Sequence, residues 1–154
     1  MTTNSYSFKD VIAFAIKNEV DSYEFYHNMA KKITSDSNLA DTFEELAIEE
    51  QKHRDYLQDY LEGEIPEIQL ADFEDYHVSE SVAEPKLTED IKFVDAIVLA
   101  MKKEEQAMNM YKKLALLSTD DRQKELFSDL SRIEEMHKVK LEKIYVNAAY
   151  VEVW

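Results

Sequence analysis

The sequence lacks cysteine altogether. This absence excludes disulfide bonds, thiolate zinc sites, and iron centres or iron–sulfur clusters held by cysteine. Glycine occurs once and proline twice among 154 residues, far below ordinary usage. A β-rich fold needs turn residues every ten or so positions, so this scarcity predicts an all-α fold with few turns and long helices.

Basic residues are scarce too: 18 lysines and arginines stand against 33 acidic residues, for a net charge of -15. Such a surface repels phosphate and excludes a nucleic-acid partner. No stretch reaches the ~18 apolar residues that a membrane span requires. The first twenty residues lack the basic and continuous apolar regions of a signal peptide. We therefore expect a soluble, cytoplasmic protein of one domain.

Four segments carry apolar residues at helical spacing. Capping residues precede them, and the predicted starts are Ser7-x-x-Asp10, Ser35 to Ser37, Thr88 and Ser118-x-x-Asp121. Gly63 is placed to end the second helix. These signals predict one helix hairpin at about 7–63, a connection at about 64–87 and a second hairpin at about 88–146. The connection can extend to ~75 Å, longer than a ~40 Å helix, so helices two and three can run parallel in a four-helix bundle.

The two predicted hairpins resemble each other in sequence. Ala-Ile-Lys-Asn-Glu19 aligns with Ala-Met-Lys-Lys-Glu104, and Phe43-x-x-Leu46 aligns with Phe127-x-x-Leu130. Corresponding residues are 85 positions apart in the first helices and 84 in the second. A duplicated helix pair predicts a site with two-fold pseudosymmetry.

Metal-ligand residue types recur in this repeat. Each second helix carries Glu-x-x-His, which places a carboxylate and an imidazole about one turn apart on one face, and each first helix adds one glutamate. This is the donor set of two-metal carboxylate bundles. Two divalent cations also offset the four negative charges that the core would otherwise bury. The predicted ligands are Glu19, Glu50, His53, Glu104, Glu134 and His137.

The Glu-x-x-His motif alone is weak evidence for a metal site, because the other two histidines also stand in it, as Glu24/His27 and Glu74/His77. Glu24 and His27 are rotated roughly 140° and 80° from Glu19 on the helix, at ~100° per residue. Glu74/His77 falls in the predicted connection. Neither pair shares the register of the chosen six residues.

Donors without sulfur suit iron or manganese, and we expect two iron ions, with manganese as the alternative. Tyr26 and Tyr111 each follow a predicted ligand glutamate by seven residues. They are candidates to donate hydrogen bonds to the ligands; packing as core aromatic residues is the alternative.

On these six residues and the repeated hairpins, the sequence resembles the rubrerythrin family of the ferritin-like superfamily. The resemblance implies that Glu50 and Glu134 bridge the metals, Glu19 and Glu104 are terminal ligands, and each histidine binds one metal. It also implies reduction of hydrogen peroxide at a di-iron site, without haem, using electrons from an iron–sulfur partner.

The sequence departs from that family at two points. It has no C-terminal cysteine-ligated domain, so we expect an external electron-donor protein. Ala107 stands where rubrerythrins carry an extra glutamate, which puts peroxidase activity in question. Dioxygen is therefore the alternative oxidant.

Two other functions stay open. Bacterioferritin shares the six ligand types, so iron oxidation and storage is one alternative; Gln51 at the haem-methionine position and the absence of a fifth helix argue against it. A non-catalytic helical interaction module is the other. We expect a homodimer or higher homo-oligomer.

Overall fold

The computed structural model describes residues 8–63, 84–85 and 91–148. These residues form four helices and no strand: α1 (Phe8–Lys32), α2 (Ser37–Leu61), α3 (Phe93–Leu117) and α4 (Asp121–Ala148). The predicted all-α fold with four helices is confirmed. The greater part of the predicted connection at 64–87 lies outside the described residues, as do Glu74 and His77.

The chain divides into two compact units, Met1–Glu67 and Ile68–Trp154. In the first, α1 packs against α2. His27 contacts Glu44, whereas Glu19, two turns earlier, lies near His53. The later residue of α1 therefore contacts the earlier residue of α2, and the earlier residue of α1 contacts the later one. This order makes the two helices antiparallel.

The second unit repeats this arrangement with α3 and α4. The hydroxyl of Ser131 donates a hydrogen bond to the carbonyl of Met108 across the pair at 3.0 Å. Further along, Glu104 lies near His137. This order again makes the hairpin antiparallel.

Apolar side chains on the facing sides of each helix pair form the core. One aromatic pair repeats in both hairpins: Tyr26 stacks on Phe43, and Tyr111 stacks on Phe127, with ring centroids 6.2 Å apart in each pair. All four rings are buried. The sequence repeat is therefore also a repeat of packing.

The first hairpin turns where the sequence predicts it. Asp36 is the N-cap of α2, and its carboxylate accepts a hydrogen bond from the Leu39 amide at 3.0 Å. Gly63 follows α2 with a φ of 96°, and its amide bonds the Tyr60 carbonyl at 3.1 Å. This left-handed conformation favours glycine, so the predicted end of the helix is confirmed. Ser7 lies outside the described residues.

Two predicted helix starts in the second hairpin are wrong. Lys92, not Thr88, is the N-cap of α3, and it makes no side-chain capping bond. Ser118 ends α3 instead of starting α4: its amide and its hydroxyl both bond the Leu114 carbonyl. Asp120 takes the capping role for α4, since its carboxylate accepts from the Arg122 amide at 2.7 Å.

Within the part of the chain that the structure describes, no helix is both long enough and apolar enough to cross a membrane. Asn147 and Ala148, just beyond the predicted end of the second hairpin at about 146, belong to α4. Residues 149–154 lie outside the described residues.

Candidate metal centre

The first hairpin brings together three of the six predicted ligands. One donor atom from each of Glu19, Glu50 and His53 lies within 4.8 Å of the other two. Nδ1 of His53 is 3.6 Å from a Glu19 carboxylate oxygen and 3.9 Å from one of Glu50. All three side chains are buried. We call these three residues cluster 1.

The second hairpin repeats the arrangement with Glu104, Glu134 and His137, which we call cluster 2. Their donor atoms also lie within 4.8 Å of one another. Nδ1 of His137 is 3.7 Å from Glu104 and 3.9 Å from Glu134. Corresponding distances in the two clusters differ by no more than 0.1 Å, so the sequence repeat extends to the geometry of the donor atoms.

These separations fit donors placed around a cation. Nitrogen–oxygen hydrogen bonds are ~2.7 to 3.2 Å long, and every separation here exceeds that range. Two donors that each lie ~2.1 Å from a common metal ion are at most ~4.2 Å apart, and the observed 3.6 to 3.9 Å falls within this limit. The spacing between the imidazole and the carboxylates in each cluster is therefore compatible with a shared metal ion.

Burial gives a second reason to expect cations. Each of the six side chains exposes 3% or less of its surface. Two carboxylates side by side in a low-dielectric interior repel each other and lose hydration, and a metal ion offsets both costs. With oxygen and nitrogen donors only, both clusters suit iron or manganese.

The structure places His27 outside both clusters. Nδ1 of His27 lies 2.9 Å and 3.1 Å from the two Glu44 oxygens, and the ring stacks on Tyr23. About a third of the His27 side chain is exposed, and Glu24 is exposed as well. Helical register thus separates His53 from His27 correctly, although both follow a glutamate by three residues.

The two tyrosines predicted to support the ligands are core residues. Tyr26 and Tyr111 are buried within the aromatic pairs described above. Their hydrogen bonding to the ligands stays a prediction. Met101 and Met108 are buried in the core of the second hairpin.

Sequence reasoning missed an aromatic neighbour of one ligand. The ring of Tyr56, three residues after His53, stacks on the imidazole with centroids 6.4 Å apart and planes inclined by 28°. The signal was available, since residues three apart share a helix face.

Sequence reasoning also missed two buried charges on α4. Lys138 and Glu142 expose 0% and 1% of their surface. They stand one turn apart, and the corresponding positions in the first hairpin are Arg54 and Gln58, which are not buried. Nothing in the apolar periodicity marks this difference between the hairpins.

Comparison with known proteins agrees with the fold. A hypothetical protein from Pyrococcus furiosus is 26% identical, with a TM-score of 0.72 over 97% of this chain and 94% of that one. An uncharacterised conserved protein from Magnetospirillum magnetotacticum, 23% identical, shares the fold with a TM-score of 0.68 over 92% of this chain and 95% of its own. No curated protein matches the chain.

The family model named Rubrerythrin matches residues 10–145, nearly the whole chain and all six candidate ligands. Its match agrees with the all-α fold, the paired hairpins and the buried glutamate and histidine clusters. The chain belongs to the rubrerythrin family of ferritin-like, metal-binding four-helix bundles.

Proposed function

We propose that clusters 1 and 2 together hold two metal ions, with iron as the preferred metal, and that the protein is a non-haem di-iron oxidoreductase. Its substrate is hydrogen peroxide or dioxygen, with peroxide as the preferred candidate, and its electrons come from a separate donor protein. The observation that carries the proposal is the repeated buried cluster, two carboxylates and one imidazole in the same geometry in both hairpins.

Charge balance supports a centre with two metals. The four glutamates contribute four negative charges, two divalent cations contribute four positive ones, and neutral histidines add none. A single divalent ion would leave two buried carboxylates without compensation, which is costly in a low-dielectric core. The donor set therefore matches two ions better than one.

When bound, a di-iron centre supplies two electrons to an oxidant. Reduction of one hydrogen peroxide to two waters consumes two electrons and two protons, so the stoichiometry matches one peroxide for each pair of irons. The helices place the carboxylates and imidazoles and exclude bulk water, since all six side chains are buried.

The resemblance to rubrerythrins suggests a role for each ligand within this proposal. Glu50 and Glu134 would bridge the two ions, Glu19 and Glu104 would each complete one end, and His53 and His137 would each bind one ion. Ala107, three residues after Glu104, offers no further donor atom. The choice between peroxide and dioxygen therefore has to come from a kinetic measurement.

Anaerobic stopped-flow spectroscopy tests this function. Protein loaded with two ferrous ions per chain is mixed separately with peroxide and with dioxygen. We expect faster oxidation by peroxide, consumption of one peroxide per two irons, and no growing iron mineral. The Glu135→Gln variant, changed next to a ligand, should behave like the unaltered protein.

Two results would contradict the proposed function. Preference for dioxygen with uptake of iron far beyond two ions per chain would assign the protein to iron storage. Absence of bound iron under all loading conditions would favour the non-catalytic interaction module.

A further inference from the structure

The two halves of the proposed centre differ in what lies beside the histidine. In the first hairpin the ring of Tyr56 stacks on His53, with a centroid separation of 6.4 Å. The corresponding position in the second hairpin, 84 residues later, is Lys140, which is exposed. A lysine cannot supply an aromatic face, so the repeat is broken at this position.

The contact acts on the orientation of the imidazole. Ring pairs with centroids ~4.5 to 7 Å apart attract each other, and this pair lies within that range. Nδ1 of His53 faces the two carboxylates of cluster 1 at 3.6 Å and 3.9 Å. Rotation of the imidazole away from them would break the stack, so Tyr56 favours the orientation that metal binding needs.

A ligand held in its binding orientation gives a tighter metal site, because less conformational freedom is lost when the ion binds. We propose that Tyr56 is a positioning residue that makes the His53 half of the centre bind its metal ion more tightly than the His137 half. This inference rests on the proposed function, since it presumes that the clusters bind metal. It predicts an affinity difference that the ligands alone do not.

Titration of the metal-free protein with Co²⁺ tests the inference, because the visible spectrum of the bound ion reports on its ligands. In the His137→Ala background, where only the His53 half keeps its imidazole, Tyr56→Leu should weaken Co²⁺ binding about two- to tenfold. Tyr56→Phe keeps an aromatic ring and should bind like the parent.

Matched controls separate positioning from a general loss of structure. In the His53→Ala background, Tyr56→Leu should leave Co²⁺ affinity unchanged, because the imidazole it positions is gone. Lys140→Leu should leave the affinity unchanged in either background. Far-UV circular dichroism of each metal-free variant checks that the helices are retained.

Four outcomes overturn the inference. Equal weakening by Tyr56→Leu in both backgrounds would show a general packing effect. Weakening by Tyr56→Phe as large as by Tyr56→Leu would assign the effect to the hydroxyl group. Unchanged Co²⁺ affinity in all Tyr56 variants would remove the positioning role but leave the proposed function intact, whereas failure of the unaltered protein to bind Co²⁺ would contradict both.

Discussion

Glu50 and Glu134 are the residues on which both metal ions should depend. Each is buried, and each lies 3.9 Å from the Nδ1 atom of the histidine three residues later. As bridging ligands they would contact both ions, so Glu50→Ala or Glu134→Ala should abolish tight binding of both. Equilibrium dialysis against Fe²⁺ under anaerobic conditions, followed by metal analysis, measures this loss.

The neighbouring glutamates provide the control. Glu49 precedes His53 by four residues and Glu135 precedes His137 by two, and both side chains are half-buried; Glu135 also forms an ion pair with Lys112. Glu49→Ala and Glu135→Ala should keep both metal ions. Two tightly bound ions in Glu50→Ala would refute the assignment of the bridging ligand.

Asp129 gives a prediction about pH. Partial burial and, secondarily, the nearby Glu125 carboxylate raise the pKa of Asp129 above its ordinary value of 3.8, against the opposing effect of Arg132. A raised pKa means that the folded state favours the protonated acid. The ionised form is therefore destabilising above the folded-state pKa, and this penalty disappears as pH falls below the unfolded-state value.

Asp129→Asn removes that penalty. It should raise the free energy of unfolding at pH 7 by a few tenths of a kcal/mol. The gain should shrink as pH falls and vanish below about pH 4. Urea unfolding of the variant and the unaltered protein across this pH range measures the difference. A stability gain that grows toward low pH would mean that folding lowers the pKa of Asp129, which contradicts the prediction.

The sequence predicts the six clustered residues because their positions are fixed by helical register and by the repeat. Both signals depend only on spacing along the chain. The Tyr56 stack, the His27–Glu44 contact and buried Lys138 depend on rotamers and on what covers each helix face. Spacing does not determine these, so the sequence alone left them out.

The α2 helix illustrates how much one capping residue contributes. Asp36 accepts a hydrogen bond from the Leu39 amide, one of the amides that have no partner within the helix. Asp36→Ala should lower the free energy of unfolding by about 1 kcal/mol. Chemical denaturation of the metal-free protein measures the change, and Asp41→Ala, at an exposed position on the same helix, should change it by less than about 0.5 kcal/mol. Equal effects at both positions would count against the cap.

Helix starts were the least predictable feature of the fold. In the second hairpin, Ser118 and Asp120 are both capping residue types, and only the three-dimensional contacts show that one ends α3 and the other starts α4. Helix α3 has Lys92 at its N-cap, and Lys92 makes no side-chain capping bond. The sequence therefore carries no capping signal at the position where α3 begins. Thr88 is a better capping residue by type, so the sequence wrongly predicts the start of α3 there.

At the scale of the whole molecule, the duplicated hairpin is the main organising feature. Each hairpin places two glutamates and one histidine in nearly the same geometry, and a two-metal centre formed from both halves would use every one of them. The family match over residues 10–145 includes both halves. The proposed function therefore depends on both clusters.

The most direct test is to load the metal-free protein anaerobically with excess Fe²⁺, remove unbound iron, oxidise the sample, and record iron content and Mössbauer spectra in an applied magnetic field. The account predicts two irons per chain as one magnetically coupled pair, lost together in Glu50→Ala. One iron per chain, or two irons that behave as independent ions, would contradict a centre shared by the two hairpins.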